Sequence, residues 1–315
     1  MGKATHPLQQ QRGYTLLAVI ADEIAFWRTE ESANPDKEII QAVRPGLSTI
    51  PNSLLLCISS PYARRGALWD TYSKHFNKDS DVLVWQATSR EMNPSLRQSV
   101  IDRAMEEDEP SACAEYLAQF RKDIESFVDS QLVKSLVIPG RIELPFIPGA
   151  VYSAFCDPAG GGGTDSFTLA IGHKEKSGAL VLDCLREQRP PFNPEVTTSE
   201  FAKTLMSYRL RRVVGDRYAG TWPSTAFARN GISYIPSTKP KSAIYKDALP
   251  RLNSRQTELL DNPRLVSQLC SLERRTARSG NDSIDHGPNA HDDVANSACG
   301  ALVILGQPRR QVGAW

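Results

Sequence analysis

Residues 151–188 carry three apolar runs in quick succession, "VYSAFCD", "FTLAIGH" and "ALVLDCLREQ", joined only by a glycine-rich stretch and a Lys-Ser-Gly turn. Connections this short suit antiparallel neighbours, because parallel strands need a crossover of a dozen or more residues. The segment therefore predicts a three-stranded antiparallel meander. The rhythm then changes. Helical "NPEVTTSEFAKTLMSY" leads to a strand, "RRVVGD", a helix near "WPSTAFARN" and a strand, "ISYIP". After these come helical "KSAIYKDALPRLN", a short "TELLD", a long helix from Pro263 to about Arg278, a polar loop, and a closing helix, "DDVANSACGALVILG". A meander followed by alternating helices and strands predicts a mixed sheet flanked by helices.

Upstream, "LVIPGRIELPFIPGA" holds three prolines and two glycines, which discourage a continuing helix. A boundary near Leu144 divides the chain into residues 1–144 and 145–315, and 315 residues suffice for two cores. The first half opens with "YTLLAVIADE" and "SLLLCISSP", short continuous apolar runs typical of buried parallel strands. A third run, "DVLVWQAT" at 81–88, is amphipathic. From Ser95 to about Ser130, Val100, Ala104, Tyr116, Phe120, Ile124 and Phe127 recur at helical spacing and predict helices leading out of this half.

The formal charge of +1 excludes a global field that would draw in nucleic acid or an anionic membrane, so any DNA-binding surface is local. The six cysteines lie far apart with no C-x-x-C pair, which predicts buried reduced thiols and neither disulfides nor zinc. The N-terminal "MGKATHPLQQQRGY" lacks the apolar core of a signal peptide, and no apolar run approaches the roughly 20 residues of a membrane span. A soluble intracellular protein is expected.

The element order of the second half is that of an RNase H-like domain. Nucleases of this type use two divalent metals about 4 Å apart, and hard Mg²⁺ requires several carboxylates converging from separate elements. Asp157 ends the first strand of this half, Asp216 ends "RRVVGD", and Asp292 and Asp293 open the last helix. Each also has a plainer role open to it. Asp157 before Pro158 suits a turn, Asp216 after Gly215 a loop, and one of the Asp292–Asp293 pair a helix cap. Taken together, acids at three element ends favour the metal site. Asp165 is assigned a turn or supporting role, His286 and His291 flank the last acids, and Asp282 and Asp285 read as loop acids.

The stretches "FCDPAGGGGTDSFTLAIGH", "VVGDRYAGTWPSTAFARNGISY", "KSAIYKDALPRLNSRQTELLDNPRL" and "IDHGPNAHDDVANSACGAL" resemble the nuclease domain of the large terminase subunit, the DNA-packaging motor of tailed bacteriophages. The resemblance implies an RNase H-like, Mg²⁺- or Mn²⁺-dependent endonuclease with two ions, which cuts concatemeric double-stranded DNA when packaging starts and ends. It places the metal carboxylates at Asp157, Asp216 and the Asp292–Asp293 pair. Portal protein and small terminase subunit are the implied partners, in an oligomeric motor in the cytoplasm of the bacterial host.

The first half is similar to the later part of the same family's P-loop-type (ASCE) ATPase domain. In that scheme "LLAVIADE" is the Walker B strand, with Asp22 in the Mg²⁺ shell and Glu23 orienting the attacking water. "LLLCISSP" corresponds to the coupling motif, with Ser59 and Ser60 sensing the nucleotide. The phosphate-cradling G-x-x-x-x-G-K-[ST] loop is not found in the sequence, since "MGKAT" has neither the first glycine nor a Ser or Thr after the lysine. The expectation is therefore an incomplete ATPase domain, either a fragment of a longer terminase or a nuclease retaining half of that domain, with apolar sheet edges left uncovered. ATP is expected only in a full-length form.

Basic clusters that would guide DNA are Arg209, Arg211 and Arg212; Lys239 and Lys241; and Arg274, Arg275 and Arg278, the last leading toward Asp292. Phosphate contacts of this kind imply little sequence preference and strong salt dependence. Tyr218 and Trp222 either shape a DNA cleft or pack a helix. Two other functions fit part of the pattern: a transposase- or resolvase-type nuclease, and a non-catalytic packaging component with structural acids. The purified 315-residue chain is expected to show no useful ATP hydrolysis, and robust turnover in a phosphate-release assay would contradict the reading of its first half.

Overall fold

The computed structural model describes residues 14–29, 32, 34–217, 220–276, 282–288 and 290–307. The chain divides into two compact units, Met1–Glu125 with Arg275–Asn281, and Ser126–Arg274 with Asp282–Trp315. The division lies upstream of Leu144 because Val133 and Leu136 are buried in the core of the second unit. Among the described residues no helix is long and apolar enough to cross a membrane.

The first unit contains β1 (Ala18–Asp22), α1 (Pro35–Leu47), β2 (Leu54–Ile58), α2 (Gly66–His75), a short α3 (Ser89–Met92) and α4 (Gln98–Leu117), and runs to β3 (Ile124–Ser126). β1 and β2 pair in parallel, with Ala18 opposite Leu54 and Asp22 opposite Ile58. Parallel strands are ordinarily covered on both faces. Here Leu17, Ile20, Leu54, Leu56 and Ile58 are exposed. The small core of this unit gathers Tyr62, Ala63 and Ile124 against Ala25 and Phe26.

Two expectations for this half fail. "DVLVWQAT" forms no strand, and Leu83 and Trp85 are 87% and 77% exposed; among the described residues no strand pairs with the run to satisfy its backbone. The helical reading from 95 to 130 holds only to Leu117. α4 breaks at Asp108 (φ −150°, ψ 88°), two residues before Pro110, which lacks the amide a continuous helix needs. Phe120, Ile124 and Phe127 lie beyond it, and Ile124 is in a strand.

The second unit begins with α5 (Ser130–Leu136) and continues through the meander β4 (Val151–Asp157), β5 (Phe167–Lys174) and β6 (Leu180–Gln188). Next come α6 (Pro194–Ser207), β7 (Arg212–Gly215), α7 (Trp222–Arg229), β8 (Ser233–Pro236), α8 (Lys241–Asn253) and β9 (Thr257–Glu258). The unit closes with α9 (Pro263–Ser271), Leu272–Arg274 of β10 (Leu272–Thr276), β11 (Asp282–His286) and α10 (Asp293–Leu305). The sheet order is β8-β7-β4-β5-β6-β9, with β4, β5 and β6 antiparallel and β7 parallel to β4. A meander extended on its first strand by two parallel strands is the arrangement expected of an RNase H-like domain.

Strand alternation splits the residues between two cores. Phe155, Ala170, Leu180 and Leu182 pack on one face with α5, α8, α9 and α10, while Ala154, Cys156, Phe167, Leu169, Ile171 and Cys184 pack on the other with Phe201, Leu205 and Phe227 of α6 and α7. Asn193 and Asn262 cap α6 and α9 by accepting backbone N–H groups, each followed by a proline whose missing amide costs nothing at the first turn.

The long helix expected from Pro263 to Arg278 ends at Ser271. Leu272 turns extended (φ −61°, ψ 140°) and its carbonyl accepts from the Phe127 amide at 3.0 Å. Within the expected polar loop Asp282–His286 form β11, beside β10, with Ile284 buried. Tertiary pairing of "LERRT" with "DSIDH" overrides the helical preference of the basic run.

α10 is buried along almost its whole length and apolar from Ala298 onward, and Gly300 is where it meets β4. A Cβ on Gly300 would lie 2.3 Å from the Phe155 ring. Gly300→Val is expected to destabilise the protein by about 1–3 kcal/mol through overpacking, despite the better helix propensity of valine, and urea unfolding checks this.

Candidate metal centre

Asp157 and Asp216 are brought together by strand register. β4 and β7 run parallel with Phe155 opposite Val214 and Cys156 opposite Gly215, and the ladder ends where the Asp216 amide donates to the Cys156 carbonyl at 3.1 Å. The next residue on each strand is an aspartate. Gly215 is required by close packing, since a Cβ there would lie 2.3 Å from the Tyr234 hydroxyl, which itself donates to the Asp216 carbonyl at 2.6 Å.

Asp292 and Asp293 stand at the N-terminus of α10. Neither caps it. Asp292 occupies the cap position without a side-chain cap bond, and the Val294 and Ala295 amides donate to Gln268 Oε1 of α9 at 2.8 and 3.0 Å. The expectation that one of the pair caps the helix is therefore wrong, and the reason is tertiary: a glutamine 26 residues upstream of Val294 takes the cap and leaves both carboxylates for other work. Asp293 Oδ2 accepts the Ser166 amide at 2.9 Å, and Asp292 Oδ2 accepts the Tyr245 hydroxyl at 2.8 Å. Asp157 Oδ2 accepts from Asn296 Nδ2 at 2.7 Å, while Asn296 Oδ1 is buried without a hydrogen-bond partner.

All four carboxylates line one cavity of about 380 Å³, together with Asp165, Ser166, Lys241, His286 and His291. Ligand atoms of Asp285, His286 and Asp292 lie within 4.8 Å of one another. Asp285, read from sequence as a loop acid, thus sits at the edge of this cluster. Hard oxygen donors from β4, β7 and α10 around one cavity fit divalent ions of the Mg²⁺ class. Asp165 is largely exposed, 3.7 Å from His291 Nδ1. The glycine run between β4 and β5 is more than a flexible turn, since Gly161 has φ 81° and an added Cβ would lie 2.2 Å from the Phe192 carbonyl oxygen.

The proposed DNA-guiding cations fare unevenly. Lys241 is in the cavity, Lys239 pairs with Asp247, and Arg274 pairs with Asp282. Arg209 stacks over Phe146 at 4.8 Å, Arg211 and Arg212 are exposed, and Arg275 is on β10. Arg278 and Tyr218 lie outside the described residues. Trp222 packs edge-on against Phe167 at 5.9 Å, which favours the packing role. Sequence reading missed Asn296, Tyr245, Ser166 and Gln268, whose partners lie far off in the chain.

In the first unit, Glu23 follows β1 with φ 55°, and Ser59 after β2 donates to Glu23 Oε2 at 3.2 Å while accepting the Ala25 amide at 3.2 Å. Asp22 ends β1, and the Ser60 carbonyl, 3.0 Å from Ser59 Oγ, is the alternative acceptor for the one Ser59 hydroxyl proton.

By sequence, no family model matches the chain and no curated protein does. Solved structures do match. The chain is similar to phage large terminases. The large terminase nuclease from thermophilic phage G20c is 16% identical over 58% of this chain and 99% of that one, with a TM-score of 0.48. The large terminase of bacteriophage HK97 is 15% identical over 95% and 72%, with a TM-score of 0.45. That of another thermophilic bacteriophage is 12% identical over 93% and 70%, also at 0.45.

Crowding of like charges marks the cavity. Burial pushes Asp157 well above the ordinary carboxylate range; Asp293, Asp216 and Asp292 add to this and the Asn296 hydrogen bond opposes it. Burial, aided by Asp292 and Asp165 and opposed by the Ser166 amide and His291, raises Asp293 to about 6. Between about pH 4 and pH 6 the folded state then holds a proton on Asp293 that the unfolded chain has lost, so stability falls as pH rises through that window. In EDTA, Asp293→Asn is expected to exceed wild type in stability at pH 7 by on the order of 2–3 kcal/mol and to match it near pH 4 or below, as read by urea unfolding at both pH values.

Proposed function

We propose that the second unit is the metal-dependent endonuclease of a viral DNA-packaging terminase, cutting concatemeric double-stranded DNA. The observation that carries this reading is the convergence of Asp157, Asp216, Asp292 and Asp293 from three separate elements on one cavity, with the helix cap delegated to Gln268. These four side chains would hold the ions. When bound, two Mg²⁺ or Mn²⁺ ions supply an activated water and charge stabilisation for the leaving oxygen.

The remaining residues have positioning roles. The Ser166 backbone amide fixes Asp293, the Asn296 side-chain amide fixes Asp157, and Tyr245 fixes Asp292. Such fixing holds a ligand set in place before a substrate arrives. Backbone phosphates are the expected DNA contacts, so cleavage should depend strongly on salt and little on sequence.

For the first unit the reading is the Walker B and coupling part of an ATPase, with Asp22 toward a nucleotide-bound Mg²⁺, Glu23 toward the attacking water, and Ser59 and Ser60 linking nucleotide state to motion. The Ser59–Glu23 hydrogen bond between the two strand ends supports it. Portal protein and small terminase subunit are the proposed partners, within an oligomeric motor in the bacterial host cytoplasm.

Supercoiled plasmid incubated with the protein should be nicked and linearised with Mn²⁺ or Mg²⁺ and left intact in EDTA. Asp157→Asn and Asp216→Asn should each lower the rate by at least about a hundredfold with melting temperature retained, as expected for lost metal ligands. Cleavage that survives both substitutions would refute the site.

A further inference from the structure

Among the described residues lining the cavity, Lys241 is the one lysine or arginine, set against Asp157, Asp165, Asp216, Asp292 and Asp293. It is the first residue of α8, and its ammonium reaches back into the acidic cluster rather than out to solvent. Lys241 Nζ lies 2.8 Å from Asp285 Oδ1, 3.0 Å from Asp292 Oδ2 and 3.2 Å from Asp292 Oδ1. Both oxygens of a nearly buried carboxylate are therefore within reach of one ammonium. The Tyr245 hydroxyl and the His286 amide also donate to this pair, at 2.8 Å to Asp292 Oδ2 and 2.9 Å to Asp285 Oδ1.

The ligand atoms of Asp285, His286 and Asp292 are close enough to surround a single cation. The ammonium of Lys241 reaches two of these three groups. An ammonium and a divalent ion cannot both take the same carboxylate lone pairs without strong repulsion. We propose that Lys241 is an internal counter-ion for the Asp285–Asp292 side of the site, which a divalent ion must displace in order to bind there.

This rests on the nuclease reading of the cavity, and it assigns Lys241 a role different from holding DNA phosphate. The ammonium stabilises the metal-free carboxylates and, by the same contacts, weakens the site for metal. Its removal should therefore move two quantities in opposite directions: stability without metal falls, and affinity for metal rises. A residue that merely packs would lower the first and leave the second unchanged.

The test is Mn²⁺ titration of the full chain by calorimetry, without DNA, on wild type, Lys241→Met, Lys241→Gln and Lys241→Arg, with melting curves in EDTA and in Mn²⁺. Lys241→Met and Lys241→Gln should tighten Mn²⁺ binding by at least about tenfold, the loss of one nearby positive charge, while Lys241→Arg stays within about twofold of wild type. Both neutral variants should melt earlier than wild type in EDTA and regain the difference in saturating Mn²⁺. Unchanged or weaker binding in the neutral variants, with wild-type binding intact, overturns the counter-ion role alone, and a loss of DNA affinity alongside it would assign Lys241 to phosphate. Absence of Mn²⁺ binding in wild type and every variant overturns the nuclease reading as well. Lys241→Gln, which keeps a donor for Asp292, serves if Lys241→Met does not fold.

Discussion

The arrangement of the second unit depends on where the N-terminus of α10 is held. Two amides at that terminus donate to Gln268 Oε1, and the helix body packs on β4 through the contact of Gly300 with Phe155. The first interaction fixes the end of the helix, and the second fixes its distance from the sheet. Together they suspend Asp292 and Asp293 beside the ends of β4 and β7. A helix N-terminus also favours negative charge, which lowers the cost of holding carboxylates there.

Carboxylates gathered in this way are unfavourable unless something offsets their repulsion. The surroundings supply part of the offset: the Ser166 amide on Asp293, Asn296 on Asp157, and Tyr245 and Lys241 on Asp292. The rest appears as raised proton affinity at Asp157 and Asp293. A site that prefers protons or an ammonium to bare negative charge is one in which divalent ions are effective competitors. The same local crowding explains why a chain of net charge +1 can present a strongly acidic cavity.

The two units contrast in how fully they cover their strands. The six-stranded sheet has helices on both faces and two apolar cores. The paired strands β1 and β2 leave Ile20, Leu54, Leu56 and Ile58 exposed, although the register still delivers Asp22, Glu23 and Ser59 to neighbouring strand ends.

The sequence by itself determined the meander, the alternation after it, and the element ends on which Asp157, Asp216, Asp292 and Asp293 stand, because hydrophobic period and short turns are local signals. Local signals also misled. "DVLVWQAT" alternates like a strand but pairs with no strand among the described residues, and "LERRT" continues a helical pattern but pairs with β11 instead. Only the tertiary structure decided which acid does what: that Gln268 caps α10, that Asn296 and Ser166 hold Asp157 and Asp293, and that Lys241 faces inward to Asp285 and Asp292. Those contacts join residues 26 to 139 positions apart, and no periodicity within a segment encodes a partner at that separation.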